Sequence, residues 1–112
     1  MRLVPCCFAL VAGRIVSAVD QKPKTTSALA RLADITRTGR ATVLVDHSDD
    51  EDWSVLWWVR AGGPALVHAP DDPLTDRALE ALRAKYPQYR TAPPRGPVLS
   101  VAVETVTSWR AR

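Results

Sequence analysis

The sequence lacks the short motifs of several enzyme classes. It contains no GxSxG segment of serine hydrolases, no HExxH segment of zinc peptidases and no glycine-rich nucleotide fingerprint. Its net charge is only +3, without a run of lysine and arginine, and this argues against nucleic-acid binding. No apolar stretch approaches the length that spans a membrane. We therefore expect neither a nucleic acid nor a membrane as a partner.

Cysteine is scarce as well, since only Cys6 and Cys7 are present. Adjacent side chains on a strand point to opposite faces, and a disulfide between neighbours would be strained. Their apolar neighbours also argue against a reactive thiolate. We therefore expect two buried thiols in the reducing environment of the cytoplasm.

What remains is the composition of an ordinary globular domain. Hydrophobic residues make up 46% of the chain and charged residues 24%. A length of 112 residues is enough for one modest core and too short for two. We therefore predict a single domain over residues 1–112.

Two periodicities divide the chain into strands and helices. Alternation of side chains predicts strands over 3–10, 15–20, 41–47, 53–61, 65–69 and 98–104, with a turn or bulge at 62–64. A short turn at 11–14 joins the first two strands into a hairpin. Helical spacing predicts helices near 27–38 and 73–86, the first ended by Gly39 and the second begun by Asp72 and Pro73. Residues 89–97 read as an irregular connection, and a basic tail follows Glu104. Because short turns join most strands, we predict a mainly β fold, a small antiparallel barrel with peripheral helices.

A candidate anion site lies between the second predicted strand and the first predicted helix. Residues 21–27, QKPKTTS, place two ammonium groups and three hydroxyls directly before a helix N-terminus. Unpaired N–H groups and the positive end of the helix dipole favour an anion there. The segment can be a phosphate loop, or a solvated turn in which Thr26 or Ser27 caps the helix.

A pair of tryptophans is the second notable feature. Trp57 and Trp58 are adjacent, so on a strand only one of them can face the core. The other would pack under a helix, contact a second subunit or form a wall for a flat conjugated ring. Arg60, on the face of Trp58, would be costly to bury without an anionic partner. His47 precedes an acidic loop, but consecutive carboxylates cannot all converge on one ion, so we predict no metal site.

A resemblance to a known family rests on four segments: AVDQKPKTTSALARL, LVDHSDDEDWSVLWWVRAGG, KYPQYR and GPVLSVAV. Together they resemble the pyridoxamine-phosphate-oxidase-like split β-barrel proteins. More narrowly, they are similar to the actinobacterial branch of deazaflavin-dependent oxidoreductases, which use coenzyme F420. The resemblance extends over nearly the whole chain from Leu3 onward. It implies an FMN-binding-type split β-barrel without the usual first helix and strand, so we expect the chain to be N-terminally truncated.

The resemblance also implies a cofactor site in a cleft between the subunits of a homodimer. The residues that it implies are Lys22, Lys24 and Thr25 at the cofactor phosphate, Val4, Pro5 and Cys6 along the deazaflavin ring, and Trp58 and Arg60 near the cleft. The implied reaction is hydride transfer from the reduced ring to a small organic substrate. Because the cofactor performs the chemical step, no catalytic side chain is expected.

Two alternatives stay open at this point. The same phosphate loop could hold FMN in place of coenzyme F420, since both carry a phosphate. The chain could also be a non-catalytic dimer that binds or stores the cofactor. Nothing in the sequence specifies the substrate.

Overall fold

A computed structural model describes residues 6–18, 26–94 and 97–111, with the backbone alone for residues 26–29 and 31. In these ranges the strands are β1 (Ala9–Val11), β2 (Arg14–Ala18), β3 (Arg40–His47), β4 (Trp57–His68), β5 (Val98–Ala102) and β6 (Thr105–Arg110). The α-helices are α1 (Thr26–Thr38), α2 (Pro73–Lys85) and the short α3 (Gln88–Thr91), and Trp53–Val55 forms a 3₁₀ turn.

The strands form a curled antiparallel half-barrel. Their order is β1-β2-β5-β4-β3, and β6 pairs with β4 beside this path. Every described pair of strands is antiparallel. The predicted mainly β fold with peripheral helices is therefore confirmed. None of the helices within the described ranges is long and apolar enough to cross a membrane.

The strand β4 carries the corner of the half-barrel. Its first half, Trp57–Gly62, pairs with β6, and its last residues, Ala65–His68, pair with β5. At the change of partner the N–H of Glu104 donates to the carbonyl of Gly62 over 2.9 Å. A Cβ atom at Gly63 would collide with the carbonyl of Ala102. The predicted turn or bulge at 62–64 is wrong, because β4 continues through these residues. The missing side chain at Gly63 lets the backbone of β5 approach closely.

Two hydrophobic clusters lie on opposite faces of the sheet, since neighbouring residues of β2 enter different clusters. Val16 belongs to the cluster with Ala78 and Leu82, through which α2 packs on the sheet. Ile15 belongs to the second cluster, against which Ile35 of α1 packs. The half-barrel thus has a helix on each face.

The helix boundaries follow from their caps, as predicted. The carboxylate of Asp72 accepts from the N–H of Leu74 over 2.9 Å, and Pro73 occupies the first helical position of α2. The N–H of Gly39 donates to the carbonyl of Ile35 over 2.8 Å. Gly39 has φ +67°, the left-handed conformation that ends α1.

The structure corrects the N-terminal prediction. A strand was expected over residues 3–10, but Cys6 and Phe8 precede β1, which begins at Ala9. The backbone N–H and carbonyl of Phe8 bond to side chains of Tyr86 and Lys85 instead of a neighbouring strand. The expectation of two buried thiols is wrong for Cys6, which is exposed, and Cys7 is half-buried.

Three further segments differ from the prediction. The expected strand over 53–61 begins only at Trp57, because the carboxylate of Asp52 accepts from the N–H of Ser54 and starts a 3₁₀ turn. The expected basic tail after Glu104 is β6, which gains its order from pairing with β4. Part of the expected irregular segment is the short α3.

Candidate functional site

The structure describes only part of the predicted cofactor site. Val4, Pro5, Lys22, Lys24 and Thr25 lie outside the described residues. The predicted ring contact Cys6 and the predicted cleft residues Trp58 and Arg60 lie within them, and their surroundings are given below.

The two elements that flank the predicted phosphate loop are present. The strand β2 ends at Ala18 and the helix α1 begins at Thr26, so the intervening residues lead directly to a helix N-terminus. The first-turn N–H groups of such a helix lack partners within it. Near the end of β2, the Ser17 hydroxyl is buried and has no hydrogen-bond partner in the described part of the chain. The N-terminus of α1 and the unsatisfied hydroxyl near the end of the preceding strand fit a phosphorylated cofactor.

Trp58 and Arg60 lie on the exposed face of the sheet formed by β3, β4 and β6. In the register, Trp58 is opposite Trp109, and Arg60 is opposite Leu44. Partners in register project from the same side of a sheet, so the four side chains share one surface. Leu44 is 63% exposed and Trp109 48%. We call Leu44, Trp58, Arg60 and Trp109 the aromatic face.

Within the aromatic face, the guanidinium of Arg60 contacts the ring of Trp58. The Cζ atom of Arg60 lies 5.8 Å from the centre of the Trp58 ring. Such a cation–π contact at an exposed position contributes about 0.5–1 kcal/mol. Arg60 is exposed, and among the described residues no carboxylate forms an ion pair with it. The guanidinium can therefore accept an anionic partner without breaking an existing ion pair.

Trp57 points to the opposite side of the sheet, as the alternation predicts. It stacks on His47, with ring centres 6.0 Å apart and ring planes 25° apart, and Arg110 is its partner on β6. Together with Ser54 these residues line an open cleft of about 510 Å³. Trp57 is 37% exposed and Trp58 half-buried, so neither tryptophan is a core residue of the single chain.

Cys6 is not a neighbour of this surface in the sheet. It precedes β1, and the strand order places β2 and β5 between β1 and β4. The predicted site residues Cys6, Trp58 and Arg60 are therefore not brought together by strand pairing within one chain.

A hydrogen-bonded triad of His68, Asp72 and Ser100 was not predicted from the sequence, and its histidine and serine are buried. Nε2 of His68 lies 2.6 Å from Oγ of Ser100, and Nδ1 of His68 lies 2.8 Å from Oδ2 of Asp72. The hydrogen bond with His68, together with that from the N–H of Leu74, lowers the pKa of Asp72. A usable signal was that Asp72, as the helix cap, follows the strand-terminal His68 by only four residues.

The order serine, histidine, aspartate resembles that of hydrolases, but the burial differs. Ser100 is 0% exposed, so no substrate can reach its hydroxyl for nucleophilic attack. The triad instead connects the end of β4 to β5 and to the first turn of α2. It is a structural connection and not an active site.

The comparisons with known proteins bear on the fold alone. No family model matches the sequence, and no curated protein matches it either. The structure is similar to the crystal structure of the conserved hypothetical protein Rv2991 from Mycobacterium tuberculosis, with a TM-score of 0.64 and 17% identity. The similarity covers 94% of this chain and 66% of that protein. The two proteins share a fold, and at this identity the similarity carries no function.

Proposed function

We propose that the chain is an oxidoreductase of the pyridoxamine-phosphate-oxidase-like split β-barrel family that binds coenzyme F420. The observation that carries the proposal is the connection from β2 to α1. A buried strand ends at Ala18, a helix begins at Thr26, and the sequence between them contains Lys22, Lys24 and Thr25. Cations and a hydroxyl before a helix N-terminus form a phosphate site without a glycine-rich loop.

In this proposal the residues of the chain bind and orient the cofactor. Lys24 and Lys22 pair with the phosphate, and the hydroxyl of Thr25 donates a hydrogen bond to it. The residues before β1, including Val4, Pro5 and Cys6, lie along the ring. The bound deazaflavin would supply hydride transfer to a small organic substrate.

We further propose that the site forms between the two subunits of a homodimer. Support comes from the aromatic face, where Leu44 and Trp109 are exposed and Arg60 lies over the ring of Trp58. Exposed apolar patches of this kind mark interaction surfaces in many soluble proteins. A two-chain site also suits the separation of Cys6 from Trp58 in the strand order. Free thiols at Cys6 and Cys7 are compatible with a reducing compartment such as the cytoplasm.

The proposal is tested by equilibrium titration of the purified protein with coenzyme F420 and, separately, with FMN. Lys24→Ala removes a charge-assisted hydrogen bond to the phosphate, so binding should weaken about ten- to a hundredfold. Arg37→Ala is the matched control, because it removes a cation from the last turn of α1, where Arg37 pairs with Asp34. The control should leave the affinity unchanged.

The outcomes separate the remaining alternatives. Equal affinity of Lys24→Ala and the original protein for both ligands would refute the phosphate site. Binding of FMN without coenzyme F420 would favour the FMN-dependent alternative. Tight binding without turnover against a panel of electron acceptors would favour a non-catalytic binding dimer.

A further inference from the structure

The residues before β1 are fastened to the end of α2 by two consecutive side chains. The N–H of Phe8 donates to the hydroxyl of Tyr86 over 3.1 Å. The ammonium of Lys85 donates to the carbonyl of Phe8 over 2.8 Å. The N–H and the carbonyl of Phe8 are thus both bound by two adjacent residues, which lie 77 and 78 positions further along the chain.

The side chain of Phe8 takes part in the same arrangement. The Nζ atom of Lys85 lies 3.5 Å from the centre of the Phe8 ring and 5.1 Å from the centre of the Tyr86 ring. Phe8 also packs against the cluster that contains Ile15 and Ala61. The ammonium of Lys85 therefore contacts one carbonyl and two aromatic rings. All three contacts form together in the observed position of Phe8.

The helix end that supplies these groups is itself well supported. The N–H of Tyr86 donates to the carbonyl of Leu82 over 2.8 Å, and Leu82 is completely buried. The Tyr86 ring meets the Tyr89 ring edge-on, with centres 5.7 Å apart. The helix end that carries Lys85 and Tyr86 is thus attached to the core, whereas Cys6 and Phe8 lie outside the strand ladder.

We propose that Lys85 and Tyr86 are positioning residues that hold Cys6 and Phe8 in the conformation in which this segment contacts the cofactor ring, an inference that rests on the proposed function. A segment without strand partners loses conformational entropy when it orders against a ligand. Because Lys85 and Tyr86 already order the segment when the protein folds, less conformational entropy is lost when the cofactor ring binds. They act through the backbone of Phe8 and do not themselves need to touch the ring.

The test uses Tyr86→Phe and Lys85→Met, which keep most of the apolar contacts and remove one donor or acceptor each. Two controls accompany them. Arg83→Met removes an exposed cation from the same helix end, and Lys85→Arg retains the cation and its donors. In the protein without cofactor, amide hydrogen exchange at Phe8 should be about tenfold faster in Tyr86→Phe, because its N–H loses its acceptor. Exchange in Arg83→Met should equal that of the original protein.

The second measurement is titration with coenzyme F420, recorded by absorbance. Tyr86→Phe and Lys85→Met should each weaken binding about three- to tenfold, which corresponds to the loss of one hydrogen bond. The absorption band of the bound cofactor should also shift relative to the original protein, because the surface against the ring has changed. Lys85→Arg should restore both affinity and band position. A purely structural role would lower the melting temperature and leave the band of the bound cofactor in place.

The failures of the two proposals are distinguishable. If the original protein binds neither coenzyme F420 nor FMN, the proposed function is overturned, and the positioning role with it. If the original protein binds the cofactor and both variants bind it with equal affinity and an unchanged band, the positioning role alone is overturned. Unchanged exchange at Phe8 in Tyr86→Phe would also overturn it.

Discussion

The Nε2 atom of His68 lies 2.6 Å from the hydroxyl oxygen of Ser100, and both side chains are buried. The hydrogen bond joins two neighbouring strands at their α2-covered face. Since Asp72 binds the other ring nitrogen of His68, one imidazole links β4, β5 and the start of α2. The stability of the half-barrel should therefore depend on this ring and its two partners.

We expect Ser100→Ala to lower the free energy of unfolding by about 1–3 kcal/mol, because it leaves Nε2 of a buried imidazole without a partner. Ser108→Ala is the control, since Ser108 is exposed on β6 and should change stability by less than about 0.5 kcal/mol. Urea unfolding of both variants measures the difference. Equal stability of the two variants would contradict this role of the hydrogen bond.

The stability contributed by Asp72 should depend on pH. Its hydrogen bond with His68 keeps the pKa of the folded state below the ordinary value of 3.8. A carboxyl group with a lowered pKa stabilises the folded state fully when the pH is above the group's pKa in the unfolded chain. This stabilisation is lost as the pH falls through the group's pKa in the folded state. Above pH 3.8 Asp72→Asn should therefore be less stable than the original protein, and the gap should narrow as the pH falls below that value.

The asparagine side chain of the Asp72→Asn variant retains an oxygen that can cap α2, so the comparison isolates the ionised form. The measurement is chemical unfolding of both proteins between about pH 2.5 and 6. A stability gap that does not vary with pH would show that ionisation of Asp72 makes no contribution.

Gly63 and Gly62 should respond differently to alanine. A Cβ atom at Gly63 meets the backbone carbonyl of Ala102, which cannot move without displacing β5. At Gly62 the nearest atom is the hydroxyl oxygen of Thr42 at 3.1 Å, and this exposed side chain can rotate. We expect Gly63→Ala to cost about 1–3 kcal/mol or more and Gly62→Ala clearly less. Thermal and urea unfolding of the pair would refute the close approach if both variants were equally stable.

The proposed homodimer predicts that a charge in the aromatic face separates the subunits. Light scattering of the original protein should give a mass near twice 12.3 kDa. Trp109→Glu should weaken association by about thirtyfold or more, since buried tryptophans often dominate interfaces. Trp53→Glu is the control, because Trp53 is 77% exposed and lies outside the aromatic face. A monomeric original protein at micromolar concentration, or equal association of both variants, would argue against this interface.

Local signals predicted the helices and the hairpin well. The pair Asp72 and Pro73 marks the start of α2, and Gly39 marks the end of α1, because capping depends on residues within one turn. Ala12 and Gly13 join β1 to β2 with positive φ angles of 51° and 76°, and a turn was expected there. These elements need no knowledge of the rest of the chain.

For the candidate site, the sequence predicted the flanking strand and helix and the faces of β4, but not the side-chain contacts. The alternation before Ala18 and the helical spacing after Thr26 indicated a strand and a helix around the lysine loop, and the structure contains both. The opposite orientation of Trp57 and Trp58 also followed from the period of a strand. The contact of Arg60 with Trp58 was not predicted, because a shared face does not specify which side chains touch.

By itself the sequence determined the mainly β class, the limits of α1 and α2 and the alternating faces of β4, since these depend on periodicity and on short-range caps. Tertiary structure alone decided that residues 105–110 form a strand and that β4 continues through Gly63. It also decided that Phe8 bonds to α2 and that His68 meets Ser100. The physical reason is the same in each case: a partner distant in sequence satisfies backbone or side-chain polar groups, and no local pattern identifies that partner.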